Sequence, residues 1–189
     1  MDMIKKIAIT ASTMLFVLAQ IFSFYVIMVS QQEKIEILKE QQERVFSRGI
    51  LDISKELNEV EYGNSIQDHI MTYCFRKNMP ENSALYKDGK ELHNSSPFSF
   101  DTSQVKIERG TPLLYQQEKL NGSYLLIFCL EEKKENDVGE RYSYLYFYVV
   151  DITYIYKESL VLAIREILIS MLASIVMALL LVFLIKKIT

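Results

Sequence analysis

The chain has few of the residues from which catalytic and cofactor-binding sites are usually built. It contains only two histidines and two cysteines, and its six glycines all stand alone, so there is no glycine-rich loop to cradle a phosphate. The motifs G-x-S-x-G and H-E-x-x-H are absent as well. Two histidines without a cluster of Cys or carboxylate ligands rarely form a metal site. We therefore predict no catalytic residue, no metal site and no cofactor.

Charge is missing from two long stretches, one near each end of the chain. No charged residue lies between Lys6 and Glu33 or between Glu166 and Lys186. As a helix, residues 167–185 would span about 28 Å, close to the hydrocarbon thickness of a bilayer. The first stretch is too long for the apolar region of a signal peptide, and no A-x-A-like cleavage site follows it. The sequence thus predicts two membrane helices, at residues 7–30 and 161–185.

The lysines at the outer ends of these spans predict the orientation. Lys5 and Lys6 precede the first span, and Lys186 and Lys187 follow the second. The positive-inside rule then places residues 1–6 and 186–189 in the cytoplasm and residues 31–160 outside the cell. Acidic residues outnumber basic ones in the segment between the lysine pairs, which gives no reason to expect nucleic acid as a partner. The expected location is the plasma membrane, with membrane lipid as one partner.

The external segment opens with helical periodicity. From Gln31 to about Val60, apolar residues recur at three- and four-residue steps. Neither Pro nor Gly separates this stretch from the first span, so one rod is expected to run through both, with Gly49 as a weak point costing about 1 kcal/mol. A shorter helix is predicted from Ser65 to Lys77, ended by Asn78-Met79-Pro80. The apolar face of the long helix is formed by Ile35, Leu38, Val45, Phe46, Ile50, Ile53, Leu57 and Val60, and that of the short helix by Ile66, Ile70 and Tyr73 or Cys74.

After Pro80 the apolar pattern has a period of two residues, which is typical of strands. Two short strands flank Asp88-Gly89, and two more, 113–119 and 123–130, flank Asn121-Gly122; both dipeptides favour tight hairpin turns. The stretch RYSYLYFYVV, from Arg141 to Val150, is apolar on both faces and is predicted to be a central strand. The charged residues 131–141 are predicted to form a solvated connection. The fold class is therefore α+β: an antiparallel sheet with a long N-terminal helix, between two membrane helices.

The order of these parts, together with Asp151-Ile152-Thr153 after the last strand, resembles the input region of a bacterial membrane-bound sensor histidine kinase. In such proteins an extracytoplasmic PAS-like (single Cache) domain often ends its last strand in a D-[IV]-T turn. Residues 84–100 are similar to the first hairpin of these domains, and Lys186-Lys187-Ile188-Thr189 is similar to the start of a HAMP linker. The resemblance implies signal transduction in a two-component system by a homodimer. It also implies that a response regulator is reached only through a transmitter beyond residue 189.

The chain itself lacks the catalytic parts of such a kinase. His69 lies in DHIMTYC and His93 in HNSSP, and neither matches the phosphoacceptor pattern H-E-[LIF]-[RK]-[TS]-P. Two functions are therefore left open. One is signal reception for a histidine kinase. The other is a stand-alone two-span accessory protein whose external domain binds a partner protein and regulates it.

Candidate binding residues follow from the tyrosines of the last strand. If the signal is a small molecule, we expect its pocket on one face of the sheet, closed by residues 92–100. The alternative is a face filled with side chains, in a domain that senses a protein or the membrane itself. The pocket residues would be Tyr144, Tyr146 and Tyr148 from the strand, with His93 and Asn94 from the loop.

Smaller groups of residues carry further predictions. Cys74 and Cys129 both lie in the segment predicted to be outside the membrane, where a disulfide could persist, but two separately buried small apolar residues are the favoured interpretation. Small residues spaced for close helix packing in lipid occur on both spans. They are Ala19 and Ser23 on the first span, and Ser170, Ser174 and Ala178 on the second.

Overall fold

A computed structural model describes residues 2–58, 66–98, 113–120, 122–135 and 139–188; for residues 2–5, 8, 58, 113–120, 185, 186 and 188 it describes the backbone alone. The chain forms two compact units, one from Met1–Glu36 with Tyr154–Thr189 and the other from Ile37–Thr153. The elements in chain order are α1 (Asp2–Asn58), α2 (Gln67–Asn78), β1 (Ser83–Lys87), β2 (Lys90–Asn94), β3 (Leu113–Leu120), β4 (Ser123–Glu135), β5 (Arg141–Asp151) and α3 (Thr153–Ile188).

Two of the helices are exceptionally long. α1 is one unbroken helix of 57 residues, which confirms the predicted rod as far as Asn58. α3 has 36 residues. Both are long and apolar enough to cross a membrane, over Ile9–Leu57 and Thr153–Leu184. Large apolar side chains such as Phe22 and Leu179 are exposed along them, and lipid would cover such a surface better than water does.

α1 and α3 pair with each other inside the first unit. The Ser12 hydroxyl lies 3.4 Å from the carbonyl oxygen of Ser174, and the Gln20 amide donates to the hydroxyl of Ser170. The helices are antiparallel, because the residue numbers of the contact partners decrease along α3 as they increase along α1. The serine stripe of α3 therefore faces α1, as expected. On α1, Ser23 is half-buried whereas Ala19 is exposed, so only the first of these lies on the packing face.

The second unit is built on a five-stranded antiparallel sheet with the order β2-β1-β5-β4-β3. β5 lies in the middle and pairs with β1 on one side and β4 on the other. Consecutive residues of a strand point to opposite faces, yet Tyr146 and Phe147 are both almost fully buried. The prediction of a central strand covered on both faces is therefore confirmed.

Two tight turns connect neighbouring strands. Asp88 and Gly89 have φ angles of 48° and 80° between the paired residues Lys87 and Lys90, as a type I′ hairpin requires. In the second hairpin Leu120 pairs with Ser123, and Gly122 has a φ of 85°. Its other predicted turn residue, Asn121, lies outside the described residues.

The prediction of a solvated connection from Glu131 to Arg141 is wrong for most of that stretch. β4 continues to Glu135 and β5 begins at Arg141, with pairing from Glu131 opposite Leu145 to Glu135 opposite Arg141. Residues 136–138 are outside the described ranges. The charges are accommodated because cross-strand and along-strand partners neutralise them, as in the 3.2 Å ion pair between Arg141 and Glu135.

α2 ends at the predicted place but buries a different face. Its C-cap is Met79, followed by Pro80, which agrees with the expected stop. The buried residues are Met71, Cys74 and Phe75, whereas Ile66 and Tyr73 are exposed. Of the face predicted from spacing, Cys74 is fully buried and Ile70 half-buried.

The C-terminal half of α1 packs on the sheet through the fully buried Phe46, whose ring lies 6.1 Å from those of Phe128 and Tyr148. Ile53 is also fully buried, whereas Val45, from the same predicted face, is exposed. Gly49 lies between Phe46 and Ile53 at a close approach to the end of α2. A Cβ atom at this position would lie 2.8 Å from Sδ of Met79 and 2.9 Å from the carbonyl oxygen of Asn78. Glycine is therefore required at this crossing, and its low helix propensity is offset by the contact it permits.

Candidate functional site

The most distinctive side chains of the second unit are the tyrosines of β5. Tyr142, Tyr144, Tyr146 and Tyr148 alternate along the strand, so all four lie on the sheet face that carries α1 and α2. The ring of Tyr148 stacks at 6.1 Å on Phe46 of α1, and that of Tyr146 lies 6.3 Å from Phe75 of α2. The predicted tyrosine stripe is therefore the surface on which both helices rest.

Each tyrosine hydroxyl has a protein partner. Tyr148 donates to Oε1 of Gln42 at 2.6 Å, Tyr144 donates to Oδ1 of Asp68 at 3.2 Å, and Tyr146 donates to Oε2 of Glu132 at 2.5 Å. The hydroxyl of Tyr142 accepts from Nε2 of Gln67 at 2.9 Å. Tyr148 is thus bonded to α1, Tyr142 and Tyr144 to α2, and Tyr146 to the neighbouring strand β4.

Two lysines complete this group, which we call the tyrosine–carboxylate cluster (Asp68, Lys87, Glu132, Lys134 and the four tyrosines). Lys87 lies 2.6 Å from Asp68 and 4.9 Å from the centre of the Tyr142 ring. Lys134 lies 3.2 Å from Glu132 and 5.9 Å from the centre of the Tyr144 ring. Each carboxylate therefore accepts from one tyrosine and pairs with one lysine, so the cluster carries no net charge.

The surroundings of Tyr144, Tyr146 and Tyr148 keep these three side chains neutral. Burial raises the pKa of Tyr144, and the negative charge of Asp68 raises it further. Burial and the hydrogen bond to Glu132 raise the pKa of Tyr146, and burial alone raises that of Tyr148. Protonated tyrosines of this kind are hydrogen-bond donors rather than acids or nucleophiles. The cluster is suited to holding elements together, not to catalysis.

The loop residues predicted to join the tyrosines lie on two different faces. His93 pairs with Leu85, which pairs with Tyr146, and its ring lies 5.9 Å from Phe75, so it is on the tyrosine face. Asn94 pairs with Ala84, opposite Phe147, and is on the other face. There its Oδ1 accepts from the backbone N–H of Ser96 at 2.9 Å in a turn. The structure brings His93 and the three tyrosines together and leaves Asn94 apart.

The two cysteines are free, buried and in separate surroundings. Cys74 in α2 lies beside Glu56, and burial followed by this carboxylate raises its pKa. Cys129 packs with Ala84, Tyr86 and Phe147 on the opposite face of the sheet, where burial raises its pKa to about 12. This arrangement agrees with two separately buried thiols and not with a disulfide. Within the ranges described, no group of three or more His, Cys, Asp or Glu side chains could hold a metal ion.

The junction between β5 and α3 is fixed by hydrogen bonds to β4. The backbone N–H of Ile152 donates to the carbonyl oxygen of Tyr124 at 2.8 Å, and the N–H of Tyr124 donates to Oγ1 of Thr153 at 2.8 Å. The Thr153 N–H in turn donates to Oδ1 of Asp151 at 2.8 Å. Ile152 itself is fully buried. The start of α3 is therefore hydrogen-bonded to Tyr124 of β4 through both Ile152 and Thr153.

Sequence reasoning missed the polar members of the cluster. Asp68 and Lys87 were not singled out, and Glu132 was assigned to a connecting loop. One signal was available, because extending the alternation of β4 past Leu130 places Glu132 and Lys134 on the face of the tyrosines. In comparisons with known protein families, with characterised proteins and with solved structures, nothing matches this chain.

Proposed function

We propose that this chain is the signal-receiving part of a bacterial membrane receptor. In this proposal residues 31–160 form an extracytoplasmic PAS-like domain between two membrane helices, and both termini lie in the cytoplasm. The observation that carries it is the position of β5. Through Tyr148 this strand is bonded to Gln42 of α1, and through Ile152 it leads directly into α3.

A receptor needs an element of its sensing domain that packs against its membrane helices or continues directly into them. β5 meets this need, because both of the long apolar helices are joined to it, one by packing and one by the chain itself. A signal that binds two arrangements of the sheet with different affinity would shift the equilibrium between them. Small shifts of packed helices are a common way in which such a change is passed on.

The resemblance to sensor histidine kinases supplies the rest of the proposal. It implies a homodimer in the plasma membrane and a transmitter that acts on a response regulator. The Asp151-Ile152-Thr153 junction supports this reading, since it connects a central strand to a long apolar helix as in that family. The signal is a small molecule or a protein outside the cell.

Coupling between β5 and the membrane helices can be tested with the chain itself. Cysteines placed at Ser12 and Ser174 report on the α1–α3 pair through their rate of disulfide formation in membranes. Tyr148→Phe removes only the hydrogen bond to Gln42, so α1 is held less firmly by the sheet, and we expect a slower rate. A net hydrogen bond is worth about 1 kcal/mol, which is enough for a change of about twofold or more.

The matched control is Tyr154→Phe, which removes the same atom from an exposed side chain. Equal rates in both variants, with both chains still folded, would contradict the proposed coupling. A change in Tyr148→Phe alone would support it.

A further inference from the structure

A groove between α1 and α3 in the first unit has the character of a binding site. It has a volume of about 280 Å³, and both polar and apolar side chains line it. The polar part includes Lys34, Arg165 and the hydroxyls of Ser23, Ser30 and Ser159. The apolar part is formed by Phe22, Val26, Ile27 and Leu162.

The groove lies at one end of the apolar helix pair. It is bounded by the Gln20–Ser170 contact on one side and by the Lys34–Glu158 ion pair on the other. Exposed apolar residues of α3 occur both before and after Arg165 and Glu166 in the sequence. Leu160 and Ile164 precede the two charged residues, Leu168 follows them, and each of the three is more than half exposed. Arg165 and Glu166 therefore lie within an apolar belt. Ionisable residues in such a position call for a functional explanation.

The charges of the groove are balanced. Lys34 lies 3.1 Å from Glu158, and Arg165 lies 3.5 Å from Glu166, which also lines the groove. Each of these side chains is 36% exposed or more, so a ligand can reach it. Each of the four charged groups is therefore accessible to a ligand group of opposite charge.

We propose that this groove binds the headgroup of an outer-leaflet phospholipid that carries one phosphate and one ammonium group. The phosphate accepts hydrogen bonds from Lys34, Arg165 and the serine hydroxyls, and the ammonium group lies near Glu158 and Glu166. One acyl chain lies along Phe22, Val26 and Leu162. With Glu158, which pairs with Lys34 beside the groove, the charged side chains there are two cations and two carboxylates, so a zwitterionic headgroup complements them better than an anionic one. The inference rests on the proposed function, in that it needs α1 and α3 to cross the membrane.

Lipid retention by the full chain tests the proposal. The chain is reconstituted into nanodiscs with equal parts of phosphatidylethanolamine and phosphatidylglycerol, released in mild detergent and weighed by native mass spectrometry. We expect phosphatidylethanolamine to remain bound in preference to phosphatidylglycerol. Lys34→Gln with Arg165→Gln should reduce this adduct at least about tenfold, because charge-assisted hydrogen bonds to the phosphate are lost.

Two further variants make the result specific. Lys157→Gln removes the same charge from an exposed position of α3 outside the groove and should leave the adduct unchanged. Ser159→Leu fills the groove without altering any charge and should abolish the adduct. This variant keeps the proposal testable if the double variant does not fold. Equal retention of the two lipids, or an adduct that survives Ser159→Leu, would overturn the proposal. A chain that alkaline carbonate extracts from membranes would instead refute the proposed membrane function.

Discussion

At the scale of single residues, Gly49 shows how one position can have opposite effects on helix and tertiary stability. In an isolated helix, alanine at this position would be more favourable by about 1 kcal/mol. In the folded unit, a methyl group there meets the sulfur of Met79 and the carbonyl oxygen of Asn78. The carbonyl oxygen is part of the backbone and cannot turn away, so the tertiary effect is the larger of the two.

Gly49→Ala should therefore lower the free energy of unfolding, by about 1–3 kcal/mol, the usual cost of overpacking. Denaturant unfolding of the detergent-solubilised chain measures this. Ser47→Ala, on the exposed side of the same helix, is the control and should have no destabilising effect. If both alanine variants were as stable as the parent chain, the close approach of α1 to the end of α2 would be wrong.

His93 makes the stability of the second unit depend on pH. Burial, and then the nearby charge of Arg76, lowers the pKa of its imidazole, while Glu91 acts in the opposite direction. The folded state thus prefers neutral His93, and the unfolded chain, with a pKa of about 6.5, takes up the proton first. Stability is complete above about pH 6.5 and decreases as the pH falls from there.

We expect His93→Gln to flatten the stability profile between about pH 7 and pH 5. The exposed His69 is the control, and His69→Gln should leave the profile as it is in the parent chain. Glu56, whose pKa is lowered chiefly by its hydrogen bond from Lys77, contributes a separate loss at lower pH, below about 4.5. A profile that is unchanged by His93→Gln would contradict this assignment.

At the scale of elements, the sequence predicted those features that depend on local chemistry. The Asp88-Gly89 turn was predictable because few dipeptides adopt two positive φ angles. The buried face of α2 was not, because in a helix of three turns several apolar stripes fit the spacing equally well, and tertiary contacts with α1 and the sheet select one. The end of β4 was missed for a related reason: charged residues were taken to indicate solvent, whereas Glu132 is held by Tyr146 and Lys134.

The candidate site was predictable to a similar degree. The alternation of β5 correctly grouped Tyr144, Tyr146 and Tyr148 on one face. It could not show which surface lies over them, because Gln42 and Asp68 come from helices distant in sequence. Asn94 was placed with the tyrosines as part of a loop closing that face, but it belongs to β2, whose alternation sets it on the face opposite to His93.

Phe147→Asp tests the central position of β5. It places a carboxylate among the buried side chains of Ala84, Tyr86 and Cys129. We expect a loss of several kcal/mol in unfolding free energy, because an unpaired charge would be buried. Phe147→Leu, which keeps the site apolar, should lose much less. If Phe147→Asp had the same melting temperature as the parent chain, this face of the sheet would not be covered.

At the scale of the whole molecule, the main expectation is topological. A cysteine at Glu135, an exposed residue at the end of β4, should react with a membrane-impermeant maleimide in intact cells. The parent chain is its own control, because the native thiols of Cys74 and Cys129 are buried. Labelling that required lysis would place residues 31–160 on the cytoplasmic side and reverse the proposed orientation.

The continuity of α1 has a consequence for how changes in chain length would act. In an unbroken α-helix each residue adds about 100° of rotation and 1.5 Å of rise. Deleting one residue between Gln31 and Gln42 would therefore turn the apolar half of α1 by about 100° relative to Phe46, whereas deleting seven, close to two full turns, would nearly preserve its phase. A deletion series through this stretch should thus alter α1–α3 pairing periodically, with the mildest effects near whole helical turns.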